Sequence, residues 1–160
     1  MKTHYRDFVI RSWEEGDLAF AADVIHSVLT EYGLPWEPTE ADKDVLQIEE
    51  CYLAVAGEFW VVEQEGQVVG TAAYYPIKRA SDAVEIRKMY LLPSARRKGL
   101  GKFLLKELES AIASRGFQQI WIETASVLKQ AVQLYESSGY QPASGVETAR
   151  CDRVYVKHIS

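Results

Sequence analysis

The chain predicts an α/β domain in which a mixed sheet carries helices on both faces. Three observations support this. Strand-like apolar runs alternate with amphipathic helical stretches along the sequence. A hairpin pattern precedes the middle of the chain, and a helical crossover joins two later strand patterns, which makes those two strands parallel. The 160 residues, 48% of them apolar, suffice for one domain over 1–160 whose core needs neither metal nor disulfide.

Taken in order, residues 5–11 alternate enough for a first strand, and 14–32 place Leu18, Ala21, Ala22, Ile25 and Leu29 at helical spacing. The segment 33–38, with Gly33, Pro35 and Pro38, breaks that helix. Thr39 or Asp42 then caps a second helix carrying Val45, Ile48 and Tyr52. Residues 59–63 and 68–75 flank the short turn Glu65-Gly66-Gln67 and form the hairpin. A polar loop, 78–82, leads to an apolar strand over 84–92. The next helix shows one apolar face, Leu100, Leu104, Leu105, Leu108, Ala111 and Ile112, and stops at Gly116. Residues 120–124 form the parallel strand. Ser126 caps the following helix, which ends at Gly139, and 140–143 and 154–158 add two short strands.

A formal net charge of −5 opposes general affinity for nucleic acid or anionic membranes. No apolar run approaches the length of a membrane span and the first residues lack a signal-peptide core, so a soluble cytoplasmic protein, monomer or homodimer, is expected. Cys51 and Cys151 stand alone, and His4, His26 and His158 have no metal-ligand spacing, so no metal is expected.

The most informative segment is Arg96-Arg97-Lys98-Gly99-Leu100-Gly101-Lys102, between the 84–92 strand and the helix after it. Its two glycines can adopt backbone angles closed to other residues, so that consecutive amides converge on a phosphate at the positive end of the helix dipole. Phe103 follows Lys102 where a Walker loop needs Ser or Thr, which disfavours an ATP site. The dinucleotide pattern Gly-x-Gly-x-x-Gly is not completed either, since Leu104 stands at its last position.

Arg96 to Gly101 instead matches Arg/Gln-x-x-Gly-x-Gly/Ala, the pyrophosphate loop of the GCN5-related N-acetyltransferases. The chain resembles that family closely over residues 58–142, from the hairpin through the 84–92 strand, the loop and its helix to 120–124 and 131–140. The resemblance implies a mostly antiparallel central sheet with one splayed parallel strand pair, and acetyl-CoA as co-substrate. It implies that Met89, Tyr90 and Leu91 pair with the pantetheine arm and that Arg96, Arg97, Lys98, Gly99, Leu100, Gly101 and Lys102 hold the diphosphate. Many members place an asparagine early in the helix after the 120–124 strand. This chain reads Ala125-Ser126-Val127-Leu128-Lys129-Gln130 there, leaving Ser126 or Gln130 as substitutes.

Amine acetylation needs a neutral nucleophile, whereas an alkylamine with a pKa near ~10.4 is protonated at neutral pH. Glu85 occupies the position of the carboxylate base in histone-acetylating members, and Tyr135 matches the phenol that protonates the departing thiolate. The amide of Tyr90 is the expected support for the carbonyl's developing charge. Alternatives remain for each: an ion pair with Arg87 for Glu85, helix packing for Tyr135, and ordinary sheet pairing for 89–91. Trp36, Tyr52, Tyr74 and Tyr75 either line an acceptor pocket or pack the core. The resemblance thus implies an N-acetyltransferase acting directly on a primary amine of a small molecule, peptide or protein, with a non-catalytic acyl-CoA-binding module as the rival.

Overall fold

The computed structural model describes residues 1–159. Its centre is one eight-stranded sheet in the order β1-β2-β3-β4-β5-β6-β8-β7. The strands are β1 (Lys2–Tyr5), β2 (Phe8–Ser12), β3 (Glu58–Gln64), β4 (Gln67–Pro76), β5 (Ala83–Leu91), β6 (Gln119–Thr124), β7 (Gln141–Pro142) and β8 (Arg153–His158). The helices are α1 (Leu18–Glu31), the single turn α2 (Ile48–Cys51), α3 (Leu100–Ser114) and α4 (Lys129–Ser137). Among the described residues, no helix is long and apolar enough to cross a membrane.

Period-two alternation divides the core. Phe59, Val61 and Ala73 pack with α1 residues Ala21, Ile25 and Leu29 on one face, together with Val45, Ile48 and Tyr52. Trp60, Val62, Ala72, Val84 and Ile86 face the other way, against Leu100, Leu104, Leu105, Leu108 and Ile112 of α3. Glu85 and Arg87, between the α3-facing residues of β5, therefore project toward the α1 side.

Every neighbouring pair is antiparallel except β5 and β6. Those two pair only from Ala83↔Gln119 to Ile86↔Ile122, although β5 continues to Leu91 and β6 to Thr124. The cause lies in β5. Arg87 opposes Ala73 and Tyr90 opposes Thr71, so Lys88 and Met89 share the single partner position of Ala72, and Lys88 is in a left-handed conformation (φ +53°). The bulge bends β5 away from β6, as the family resemblance implies. It also turns two consecutive side chains to the α1 side: Arg87 donates to the Tyr75 hydroxyl and Lys88 reaches Asp42.

Three local expectations are corrected. The first strand is a hairpin, β1 and β2, turning at Arg6 (φ +53°) and Asp7 without a glycine to mark it. The second helix is broken into a 3-10 turn at Lys43–Leu46, the four residues of α2 and another 3-10 turn at Leu53–Val55. Asp42 precedes the first turn but makes no cap bond, because its carboxylate is taken by cations from elsewhere. Val45, Ile48 and Tyr52 are nonetheless fully buried. Ser126 does not cap α4, whose N-cap is Leu128; the Ser126 hydroxyl accepts from Arg153 Nε at 2.8 Å and its amide donates to Asp152.

Candidate active site

The loop joining β5 to α3 is shaped by two left-handed residues, Arg97 (φ +61°) and Gly99 (φ +81°). Gly99 is also a close-approach position. A Cβ there would lie 2.5 Å from the Tyr5 hydroxyl, which donates to the Lys98 carbonyl at 2.7 Å. The β1–β2 hairpin thus holds the loop from below. Helix α3 opens with no side chain capping it, so the amides of its first turn face outward without an internal acceptor. Two left-handed residues followed by an uncapped helix start give a nest of backbone N–H groups with the geometry to receive an anion.

A cavity of about 310 Å³ extends from this nest. Its walls include Met89, Tyr90, Leu91, Arg96, Arg97, Gly99, Gly101, Lys102, Gln130 and Tyr135, which places most of the residues singled out in the sequence around one space. Val28 and Tyr32 of the α1 end complete it. Three candidates point elsewhere. Leu100 is buried in the α3 core, Lys98 Nζ lies 5.7 Å from the centre of the Phe8 ring, and Ser126 is held by Arg153 and Asp152 outside this cavity. The Arg96 side chain is also committed: its Nη atoms grip Glu31 at 2.7 and 2.8 Å and its Nε donates to the Leu91 carbonyl.

Where β5 and β6 separate, a second cavity of about 50 Å³ shares Met89, Tyr90, Ala131 and Tyr135 with the first. A third, about 40 Å³, reaches Glu85 and shares Arg87, Lys88, Tyr90, Glu123, Arg150 and Cys151 with the second. The row therefore runs from the nest, through the gap in the sheet, to Glu85. Main-chain direction along it follows from sheet alternation. The Leu92 amide bonds the Val69 carbonyl on β4, so the Tyr90 amide also faces β4 while that of Leu91 faces the gap. The expected donor thus shifts from Tyr90 to Leu91.

Glu85 is 7% exposed, and its carboxyl is pushed up to about 7. Burial is the main cause; Arg87, with Nε 3.7 Å away, opposes it and Glu123 adds to it. Tyr135, 4% exposed, has its hydroxyl held well above the usual phenol range by burial, so it stays protonated.

Beneath the gap lies a charged cluster that sequence reasoning missed. Fully buried Asp42 accepts from Lys88 Nζ at 2.6 Å and from both Arg150 Nη atoms at 2.5 and 2.6 Å. Burial raises its pKa, but the bonds from Arg150 and the charge of Lys88 outweigh that and hold it at about 2. Tyr52 donates to neighbouring Asp44, whose other oxygen lies 3.5 Å from Lys88 Nζ. The sequence signal was the adjacent cations Arg87-Lys88 inside a strand whose other charged residue is Glu85.

An acetyltransferase is what this combination of bulged strand, glycine loop and splayed sheet defines, and the profile of the acetyltransferase (GNAT) family matches residues 23–140. The chain belongs to that family. It is 38% identical over 123 residues, 75% of this chain and 74% of the other, to the uncharacterized N-acetyltransferase YjgM of Escherichia coli. It spans about half the length of the vertebrate relatives it also matches. An acetyltransferase from Streptococcus agalactiae superposes with a TM-score of 0.88 at 24% identity, covering 97% of this chain and all of that one. The paia N-acetyltransferase of Thermoplasma acidophilum, solved with coenzyme A, superposes with a TM-score of 0.75 at 17% identity, over 94% and 98% of the two chains.

Proposed function

We propose that this chain is a single, cytoplasmic acetyltransferase domain that moves the acetyl group of acetyl-CoA directly onto a primary amine. The observation that carries this reading is the row of adjoining cavities from the glycine loop, past Tyr135, to the buried carboxyl of Glu85, which burial pushes up to about 7.

The residues present fit the co-substrate. Outward amides at the start of α3, with Arg97 and Lys102 beside them, suit a diphosphate. The slot between β5 and β6 suits a slender arm carrying amides, which would pair with the open main chain at Leu91 as an added strand does. Gln130 supplies a side-chain amide on the opposite wall. Glu85 takes a proton from the incoming ammonium, directly or through water. The freed amine forms the N–C bond as the C–S bond breaks, Tyr135 protonates the leaving sulfur, and the second amine proton returns through solvent to the Tyr135 oxygen. The Leu91 amide supports the charge that develops on the carbonyl oxygen. No cysteine is placed for an acyl-enzyme: Cys151 lines the inner cavities, but burial pushes its thiol up to about 11, where it is unreactive at neutral pH.

Calorimetric titration with CoA and acetyl-CoA, followed by a thiol-release assay over a panel of amines, tests the proposal. Saturable binding with amine-dependent release is expected. Binding without release from any amine would favour the non-catalytic rival.

A further inference from the structure

Arg87 has no counterpart to the grip that the protein's comparable guanidiniums make. Arg11 holds Asp17 with both Nη atoms at 2.8 Å, Arg96 holds Glu31 at 2.7 and 2.8 Å, and Arg150 holds Asp42 at 2.5 and 2.6 Å. Arg87 gives one hydrogen bond, Nη1 to the Tyr75 hydroxyl at 2.7 Å. Its Nε is 3.7 Å from Glu85, beyond hydrogen-bonding reach. The side chain is only 20% exposed, and it lines both inner cavities, so its spare donors stand where a ligand would enter. Those donors keep solvent contact and can turn to an anion that enters there.

The local charge balance points to what that something is. Asp42 and Asp44 answer Lys88 and Arg150, and Glu123 and Glu147 share Arg79, so the carboxylate nearest Arg87 is Glu85, at 3.7 Å, with Asp44 acting on it from farther away. In the proposed reaction Glu85 becomes neutral as it receives the amine proton, which removes the ion-pair partner nearest Arg87. An anion on the acceptor would replace it. Glu85 and Arg87 are two positions apart on one strand face, and their charged atoms lie 3.7 Å from one another. That span lets a single small molecule present its amine to one and an oxyanion to the other. The inner cavity, about 40 Å³, has room for a small polar group beside Glu85 and Arg87.

We propose that the acceptor is a free amino acid, its carboxylate gripped by Arg87 and its amine directed at Glu85. This rests on the acetyl-transfer reading above. The carboxylate takes no part in bond making: the ammonium loses one proton to Glu85, the amine gains the acetyl carbon, the thiolate takes a proton from Tyr135, and the second amine proton passes through solvent to the Tyr135 oxygen.

Thiol release from acetyl-CoA decides the matter when free L-amino acids are compared with their carboxamides and with the corresponding decarboxylated amines. Arg87→Gln and Arg87→Lys are assayed beside the unaltered protein, with circular dichroism to check folding. The unaltered protein should show kcat/KM for its best amino acid at least ~10-fold above both neutral analogues, as expected when a charged hydrogen-bonded pair is lost. That preference should collapse in Arg87→Gln, mainly through KM, and return in part in Arg87→Lys. Carboxamides, decarboxylated amines or lysine-containing peptides used as well as amino acids would overturn the proposal while leaving acetyl transfer intact. Absence of release from every amine would overturn both. If Arg87→Gln does not fold, the three acceptor classes on the unaltered protein decide alone.

Discussion

Lys88, the left-handed residue of the β5 bulge, places its ammonium 2.6 Å from the carboxylate of Asp42, and both side chains are essentially excluded from solvent. Because Arg150 closes on the same carboxylate, one buried anion ties the bulge to the segments on either side of the site. Removing one member leaves an uncompensated buried charge. Asp42→Asn or Lys88→Met should therefore cost about 3–5 kcal/mol in urea unfolding. A loss below about 1 kcal/mol would show that the cluster is not held together as described.

The same contact predicts how acid acts on the fold. Asp42 is displaced downward from 3.8 to about 2, so its ionised form favours the native state. That contribution is whole above 3.8 and fades as the pH falls through about 2, a loss of about 2 kcal/mol. Urea midpoints measured between pH 5 and 2 should fall over that window, and the Asp42→Asn midpoint should fall less.

Glu85 carries the opposite sign. Its rise from 4.5 to about 7 means that the protonated form favours the fold, a contribution present below 4.5 and lost as the pH rises through about 7. Glu85→Gln, which stays neutral, should be more stable than the unaltered protein at pH 8, by up to about 3 kcal/mol, and nearly equal at pH 4. Turnover should move the other way: the unaltered protein's rate should rise through about pH 7, and Glu85→Gln should lose that limb along with about 10²-fold or more in kcat. Unchanged kcat would assign Glu85 to its ion pair with Arg87.

Tyr135→Phe should leave CoA affinity within about twofold by calorimetry, since the ring still packs near Tyr140 and Tyr155. Its kcat should fall by about 10²-fold. Equal turnover would remove the acid role.

The two loop glycines should fail in different ways. A Cβ on Gly101 meets only ordinary contacts, Leu134 at 3.5 Å and Leu91 at 4.0 Å, so Gly101→Glu should fold normally yet lose CoA binding through its bulk and charge. At Gly99 even alanine is strained by the positive φ and strikes the Tyr5 hydroxyl. Gly99→Ala should lower stability by about 1 kcal/mol or more as well as weakening CoA binding. Unaltered thermal midpoints for Gly99→Ala would contradict the hairpin's hold on the loop.

Much of this was legible because it is local. The alternation of β3 and β4, the apolar face of α3 and the spacing of Gly99 and Gly101 each sit within a short window, and the geometry follows them. The Arg6-Asp7 turn was hidden because it uses a left-handed residue other than glycine. Asp42 read as a helix cap since that is the usual local use of an aspartate there. Its real partners lie 46 and 108 positions away, and no periodicity encodes such a meeting. Ser126 failed as a cap for the same reason: Arg153 and Asp152, distant in sequence, compete for it. The direction of the Leu91 amide required the strand register, which only pairing with β4 defines.

The parting of β5 from β6 beyond Ile86 and Ile122 has a consequence for behaviour in a crowded solution. Unsatisfied main chain normally sits on the rim of a sheet, where it invites neighbouring molecules to stack and precipitate. Here it lies mid-sheet, in a cavity lined by Leu128, Ala131 and Arg150, rather than on the rim. The fold thereby carries its open main chain away from the outer strands, where edge-to-edge stacking begins.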